Sequence, residues 1–293
     1  MSTIHAIIIA IIEGLTEFLP ISSTAHMKFA NPLIGEGESA FREMFEVVIQ
    51  LAAILSVVVL YWKKFFDFKR INFYIKLIIA LIPAVVFGVL FKHQIDLALG
   101  NLTFIACVMI AGGIVLLFID GFFKNPVVFD DSQVSYKKSF VIGCFQVLSV
   151  IFPGLSRSAA TIIGGLSQRL DRSTAAEFSF FLAVPTMLAA SVKSFYDACK
   201  QNYFQTNNIG EEQAATMKVH THDIFSHDNL STLFTHQNLI SLSLGCIVSF
   251  IVALLAIKFF IGYVQKHGFK VFGYYRIVLG IVVLILIYNG TIH

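Results

Sequence analysis

An all-α polytopic membrane protein is predicted by three observations: apolar runs long enough to cross a bilayer, very little charge between them, and two hydrophobic segments broken near their middles. Hydrophobic residues make up 57% of the 293 positions and charged ones 13%, with a mean hydropathy of +0.79. Such a composition excludes an ordinary water-soluble domain.

The first apolar stretch, 3–30, is interrupted by Pro20 followed by Ser22, Ser23 and Thr24, so it cannot cross as one simple helix. Runs at 45–62, 74–91 and 102–120 are unbroken, and each matches a ~30 Å hydrocarbon core. The stretch 139–168 is broken again, by Pro153-Gly154 and the Ser156-Arg157-Ser158 that follows. Three further runs, at 174–195, 239–264 and 273–291, complete six transmembrane helices. Irregular backbone at membrane depth is tolerated where protein or a water-filled cavity covers it. The two broken stretches are therefore expected to be re-entrant helix-loop-helix hairpins, each entering and leaving on one side. Glu13 and Glu17 interrupt the first run and no small-residue cleavage site follows, so no cleavable signal is expected.

Threading the chain through the bilayer puts loops 92–101 and 196–238 and both termini on one side, and loops 63–73, 121–138 and 265–272 on the other. Of the 21 Lys and Arg, six lie nearer the first side and fourteen nearer the second, with Arg157 left between them. The excess makes the second side cytoplasmic and 196–238 an extracytoplasmic loop. One hairpin plus three spans occurs twice, over 1–121 and 139–293, and the odd number of crossings inverts the second copy. An inverted repeat within a single membrane domain is the result. The tips echo each other, "FLPISSTAH" against "IFPGLSRSAAT", and so do the segments after them, "FEVVIQLAA" against "EFSFFLAVP". Entering from opposite faces, the tips can meet near the midplane.

Other features have plain explanations. Cys107, Cys144 and Cys246 fall in apolar segments and Cys199 lies at a helix end, so no disulfide framework is implied. "HTHDIFSHD" at 220–228 has metal-like His and Asp spacing but lies in a polar loop, where a solvated segment is the better reading. Lys258 can snorkel, and the basic stretches 63–70 and 266–276 follow from orientation, with anionic membrane lipids as secondary partners. Nothing calls for nucleic acid.

The chemistry concentrates at the tips. Glu13 and Glu17 are one helical turn apart on one face. Two anions at that depth need a cation, either Arg157 or a divalent metal, unless they are simply solvated at the hairpin mouth. Ser22, Ser23 and Thr24 open a helix whose free N–H groups favour an anion, and Ser156-Arg157-Ser158 opens a second one facing it. Capping alone would account for a lone serine. Two such helix starts together point to a phosphate site.

"EGLTEFLPISSTAH" at 13–26 and "PGLSRSAAT" at 153–161 resemble the two signatures of the bacterial undecaprenyl-pyrophosphate phosphatases of the bacitracin-resistance (BacA-type) family. The likeness extends through "FEVVIQLAAILSVVVLYW" at 45–62 and "AAEFSFFLAVPTM" at 175–187, and covers nearly the whole chain except 200–237. Ala25 and Ala159 depart from it, standing where the family commonly has glycine, a change that matters if the backbone there is left-handed. The charge asymmetry and the entry of Glu13 and Glu17 from the extracytoplasmic side are expected to open the site to that face. The resemblance implies hydrolysis of undecaprenyl pyrophosphate to the monophosphate that carries cell-wall precursors, in the bacterial inner membrane. It also implies Ser23 as nucleophile, Glu13 and Glu17 as the acids associated with a divalent metal ion (Mg2+ or Ca2+), and Arg157 as the phosphate clamp. Ser22, Thr24, Ser156 and His26 match supporting positions, and Ser158 and Thr161 complete the expected substrate-binding set.

His26 could activate Ser23, protonate a leaving oxygen or hydrogen-bond a carboxylate. A homodimer is compatible with the sequence. The competing function is a polyprenyl-phosphate flippase or anion transporter, since inverted repeats with broken helices are also a transporter design. A carrier, however, has no use for a positioned serine. The acid-phosphatase type of lipid phosphatase would need a histidine soon after Ser156-Arg157, and none occurs before His220.

Overall fold

A computed structural model describes residues 1–35, 37, 39–209, 217 and 221–292. Helices dominate: α1 (Thr3–Thr16), α2 (Ser23–Leu33), α3 (Ala40–Leu60), α4 (Trp62–Phe65), α5 (Ile71–Leu90), α6 (Lys92–Leu99), α7 (Leu102–Phe122), α8 (Tyr136–Ile151), α9 (Arg157–Ser167), α10 (Arg172–Thr206), α11 (Thr221–Ile224), α12 (His227–Leu233), α13 (His236–His267) and α14 (Lys270–Tyr288). Among the described residues no strand forms, and an isolated parallel bridge pairs Val128 with Leu170. Six helices, α3, α5, α7, α10, α13 and α14, are long and apolar enough to cross a membrane, one for each predicted span. The chain is an integral membrane protein.

Helix starts follow local chemistry. Ser2, Ser22, Ser39, Asn101, Ser135, Ser156, Asp171 and Thr235 each accept a backbone N–H at a helix N-terminus, satisfying donors that have no partner within the helix. One boundary differs from expectation. Helix α10 continues to Thr206, so 196–206 is helical and the connection to α13 begins only after it, carrying α11 and α12. Hydropathy falls beyond residue 195 while the backbone stays helical, so the end of the apolar run is not the end of the helix. Cys199 lies inside this helix and is fully buried in a cluster with Ile224 of α11 and Leu233 of α12.

The two broken segments each fold into paired helices, α1 with α2 and α8 with α9. Their first arms cross over between the halves of the chain. Helix α1 packs on α13 and α8 on α5, while α3 meets α10 and α7 meets α14. Glycines permit the closest of these approaches: a Cβ on Gly14 would lie 2.7 Å from the Ser249 carbonyl oxygen, and one on Gly143 would strike the Ala80 carbonyl. At the opposite end, Asp131 is buried and binds Lys64 and Arg70, each at 2.7 Å, while Lys76 donates to the Asp131 and Ser132 carbonyls. Asp120 holds Arg172 and the Phe269 N–H. These contacts pin the connection between the halves.

Candidate active site at the helix breaks

The two breaks share one local geometry. Ser22 and Ser156, the N-caps of α2 and α9, have positive φ values of 72° and 76°, and their Oγ atoms accept the Ala25 and Ala159 N–H groups. Ala25 and Ala159 are therefore helical, and the left-handed positions fall three residues earlier. Alanine is accommodated at both. The tips also touch: Ser158 Oγ donates to the Leu19 carbonyl at 2.8 Å, which joins α9 to the first break.

Glu17 ties the site together. It caps the end of α1, and its Oε2 accepts the Ser23 hydroxyl at 2.5 Å while its Oε1 accepts Arg157 Nη2 at 2.6 Å. A nucleophile candidate from one break and a cation from the other, 134 positions apart in sequence numbers 23 and 157, thus share a single carboxylate. Arg157 Nη1 donates to the Ser179 carbonyl at 3.1 Å, while its buried Nε has no acceptor. A donor left free beside an ion pair is suited to an anionic oxygen brought in from outside.

These groups face a cavity of about 280 Å³, lined by Glu17, Ser22, Ser23, Thr24, Ser156 and Arg157. Gln50, Ile95, Leu99, Ser149, Val150, Pro153, Gly154 and Met187 complete its wall. Sequence reasoning missed Gln50 and Ser149, although each is a polar residue with apolar residues on both sides, Ile49 and Leu51 for the first and Leu148 and Val150 for the second. Ile95 and Leu99 come from α6, which lies outside the predicted spans, and left no signal of this kind.

Four expected residues do not line the cavity: Ser158, Thr161, His26 and Glu13. Ser158 is engaged with Leu19 and Ser156, and Thr161 Oγ1 bonds the Arg157 carbonyl and the Ser179 hydroxyl at 2.6 Å, so both buttress the cavity wall without lining it. His26 turns away from Ser23. Its Nδ1 donates to the Ser22 carbonyl at 2.7 Å, its Nε2 meets the Tyr275 hydroxyl at 2.8 Å, and its ring stacks on Tyr275. The spacing of three puts Ser23 and His26 on neighbouring positions of one helix face; it is the contact with Tyr275 of α14, 249 positions away, that holds the imidazole off the serine, and spacing alone did not reveal it.

Glu13 is completely buried, its carboxylate oxygens accept no hydrogen bond from an N–H or hydroxyl donor, and its carboxyl group lies within hydrogen-bonding reach of that of Glu17. Glu17, Glu46 and Arg157 are the charged groups that act on it. A buried carboxylate so placed fits a cation. Among the described residues no group of three or more His, Cys, Asp or Glu side chains could hold a metal, so such an ion would draw its other ligands from phosphate and water. In the 220–228 segment, the described His222, His227 and Asp228 are solvated, Asp223 is half-buried and no cluster forms among the described residues, and His220 lies outside them.

Comparison with known proteins agrees with this geometry. The family described as "Bacitracin resistance protein BacA" matches residues 6–282. The chain is 49% identical to a Flavobacterium psychrophilum protein named undecaprenyl-diphosphatase, over 98% of this chain and 96% of that one. Proteins of the same name from Porphyromonas gingivalis and Enterococcus faecalis are 44% and 40% identical, covering 99% of both chains and 97% and 96% respectively. The matched span includes both helix breaks and every side chain around Glu17, and the chain belongs to the bacitracin resistance protein BacA family.

Proposed function

We propose that this chain hydrolyses undecaprenyl diphosphate to undecaprenyl phosphate and inorganic phosphate, recycling the lipid carrier of cell-wall synthesis. The observation that carries the reading is Glu17, bonded to the Ser23 hydroxyl and to Arg157 at the wall of one cavity. Ser23 Oγ attacks the terminal phosphorus and gives its proton to Glu17 Oε2. The bond from that phosphorus to the bridging oxygen breaks, and undecaprenyl phosphate leaves. Glu17 passes the proton to the departing oxygen or to solvent, and water then attacks the phosphoserine with Glu17 as base, releasing phosphate and restoring Ser23.

Arg157 grips non-bridging oxygens with its free Nε and with the Nη2 now held by Glu17, where charge spreads during transfer. The N-termini of α2 and α9 add backbone donors on two sides. Glu13 and Glu17 are the residues that would hold a Mg2+ or Ca2+ ion, which would supply further positive charge against the phosphate oxygens; the Glu13 carboxylate, which accepts no N–H or hydroxyl, supports this assignment.

The cavity opens to the outside of the bacterial inner membrane. Its Ile95 and Leu99 belong to the α6 connection, on the side poor in Lys and Arg, while Lys64, Arg70 and Lys76 mark the other end. The inverted repeat and the re-entrant course of the hairpins belong to the same reading. They are supported by the matched positive-φ caps at Ser22 and Ser156 and by the exchange of first arms between halves. Phosphate release by the purified protein in detergent tests the function. Ser23→Ala should abolish it without unfolding, and near-native release from that variant would remove Ser23 as nucleophile.

A further inference from the structure

The sequence groups Arg276 with the cytoplasmic charges, as the last residue of the basic stretch 266–276. Its side chain is instead fully buried, seven positions inside the last spanning helix α14. Among the described residues no carboxylate pairs with it. Every hydrogen bond it makes is to a backbone carbonyl: Nε to Met109 at 3.0 Å, Nη1 to Pro20 at 3.1 Å and Leu155 at 2.7 Å, and Nη2 to Gly154 at 2.9 Å. A guanidinium buried without a counter-ion is costly, and a structure that keeps one uses its donors.

Those donors fall where the backbone is broken. Pro20 lies in the break between α1 and α2, and Gly154 and Leu155 lie in the break between α8 and α9, so their carbonyls are outside both helical ladders. One nitrogen, Nη1, joins the two breaks directly. Space for the group is provided by Gly112 of α7, where a Cβ would collide with Nη2. Lysine, with a single nitrogen, could not span carbonyls this far apart in direction.

From this geometry we infer that Arg276 is a positioning residue for phosphoryl transfer, clamping the two helix breaks so that Ser23 and Glu17 on one stay aligned with Arg157 on the other. The inference rests on the active-site reading above. It touches no reacting atom; it acts through the carbonyls of Pro20, Gly154 and Leu155, two or three residues before Ser22, Ser23 and Arg157. Alignment is the quantity at stake, because small displacements of reacting groups cost large factors in rate.

The test uses the full-length protein in detergent, measuring kcat, KM and thermal unfolding for Arg276→Lys, Arg157→Lys and the double variant. Arg276→Lys should remain folded at the assay temperature and lose about tenfold to a hundredfold in kcat. Its loss should combine with that of Arg157→Lys to less than the product of the two, because both disturb one alignment. A purely structural arginine would lower the unfolding temperature, leave kcat per folded molecule unchanged and combine multiplicatively with Arg157→Lys; either kinetic result overturns the inference. Should Arg276→Lys fail to fold, Gly112→Val drives the native guanidinium off its carbonyls and should show the same loss, and native kcat in that variant overturns the inference equally. Native turnover in Ser23→Ala would instead overturn the active-site reading on which it rests.

Discussion

Arg157 uses its fork in two directions, Nη2 toward Glu17 and Nη1 toward the Ser179 carbonyl, with Nε unpartnered. Lysine at this position keeps the charge but has one nitrogen, so it can hold Glu17 or a phosphate oxygen and not preserve the whole arrangement. Arg157→Lys should therefore remain folded and lose at least about tenfold in rate, roughly 1.4 kcal/mol of transition-state stabilisation. Turnover and thermal unfolding measured together check this, and native turnover in the lysine variant would mean that the fork is not used. Glu13 is the complementary case, a buried carboxylate that no N–H or hydroxyl of the protein is seen to satisfy. Hydrolysis should require a divalent cation, and Glu13→Gln should raise the cation concentration needed for half-maximal rate. Full activity of the native protein in excess chelator would leave Glu13 as a partner of Arg157 or a proton-transfer group.

At the level of the element, the helix breaks depend on serines that do two things at once. Ser156 caps α9 through its Oγ while its backbone holds a positive φ of 76°. Alanine would lose the cap and keep the unfavourable backbone, whereas glycine would lose the cap and relieve the backbone. Ser156→Ala should destabilise the protein by about 1 kcal/mol and Ser156→Gly by less than about half of that, as read from unfolding in detergent. Equal losses would show that the backbone conformation is not strained. The arms of the hairpins depend on close approach instead. Gly143 lies against the Ala80 carbonyl of α5, so Gly143→Val must push α8 outward, at a cost of about 1–3 kcal/mol or more. Unchanged thermal stability in that variant would show that α8 and α5 are not tightly packed there.

For the whole molecule, the decisive expectation is orientation. The end carrying α11 and α12 should face the exterior, with the Lys64, Arg70 and Asp131 cluster inside the cell. Cys199 cannot report on this, being buried in α10. Asp228, whose side chain is fully exposed in α12, can. In a background with all four native cysteines replaced, Asp228→Cys should react with a membrane-impermeant thiol reagent in intact cells. Reaction only after lysis would reverse the assignment of sides.

The spans, the breaks and the helix starts were legible in the sequence because each depends on a short window. Hydropathy over about twenty residues decides membrane crossing, and a proline followed by hydroxyl residues decides where a helix stops and another begins. Ser23, Glu17 and Arg157 stood out for the same reason, as polar groups in apolar surroundings. What they bind was not local. The Glu17–Arg157 bond spans 140 positions and the Arg276–Pro20 bond 256, and both exist only because the hairpins are packed between the spans. Sequence proximity placed Arg276 among cytoplasmic charges and His26 beside Ser23; tertiary packing buried the first under both breaks and turned the second toward Tyr275. A buried charge takes its partner from whatever the folded chain brings within about 3 Å, and that neighbourhood is set by helix packing across the whole molecule.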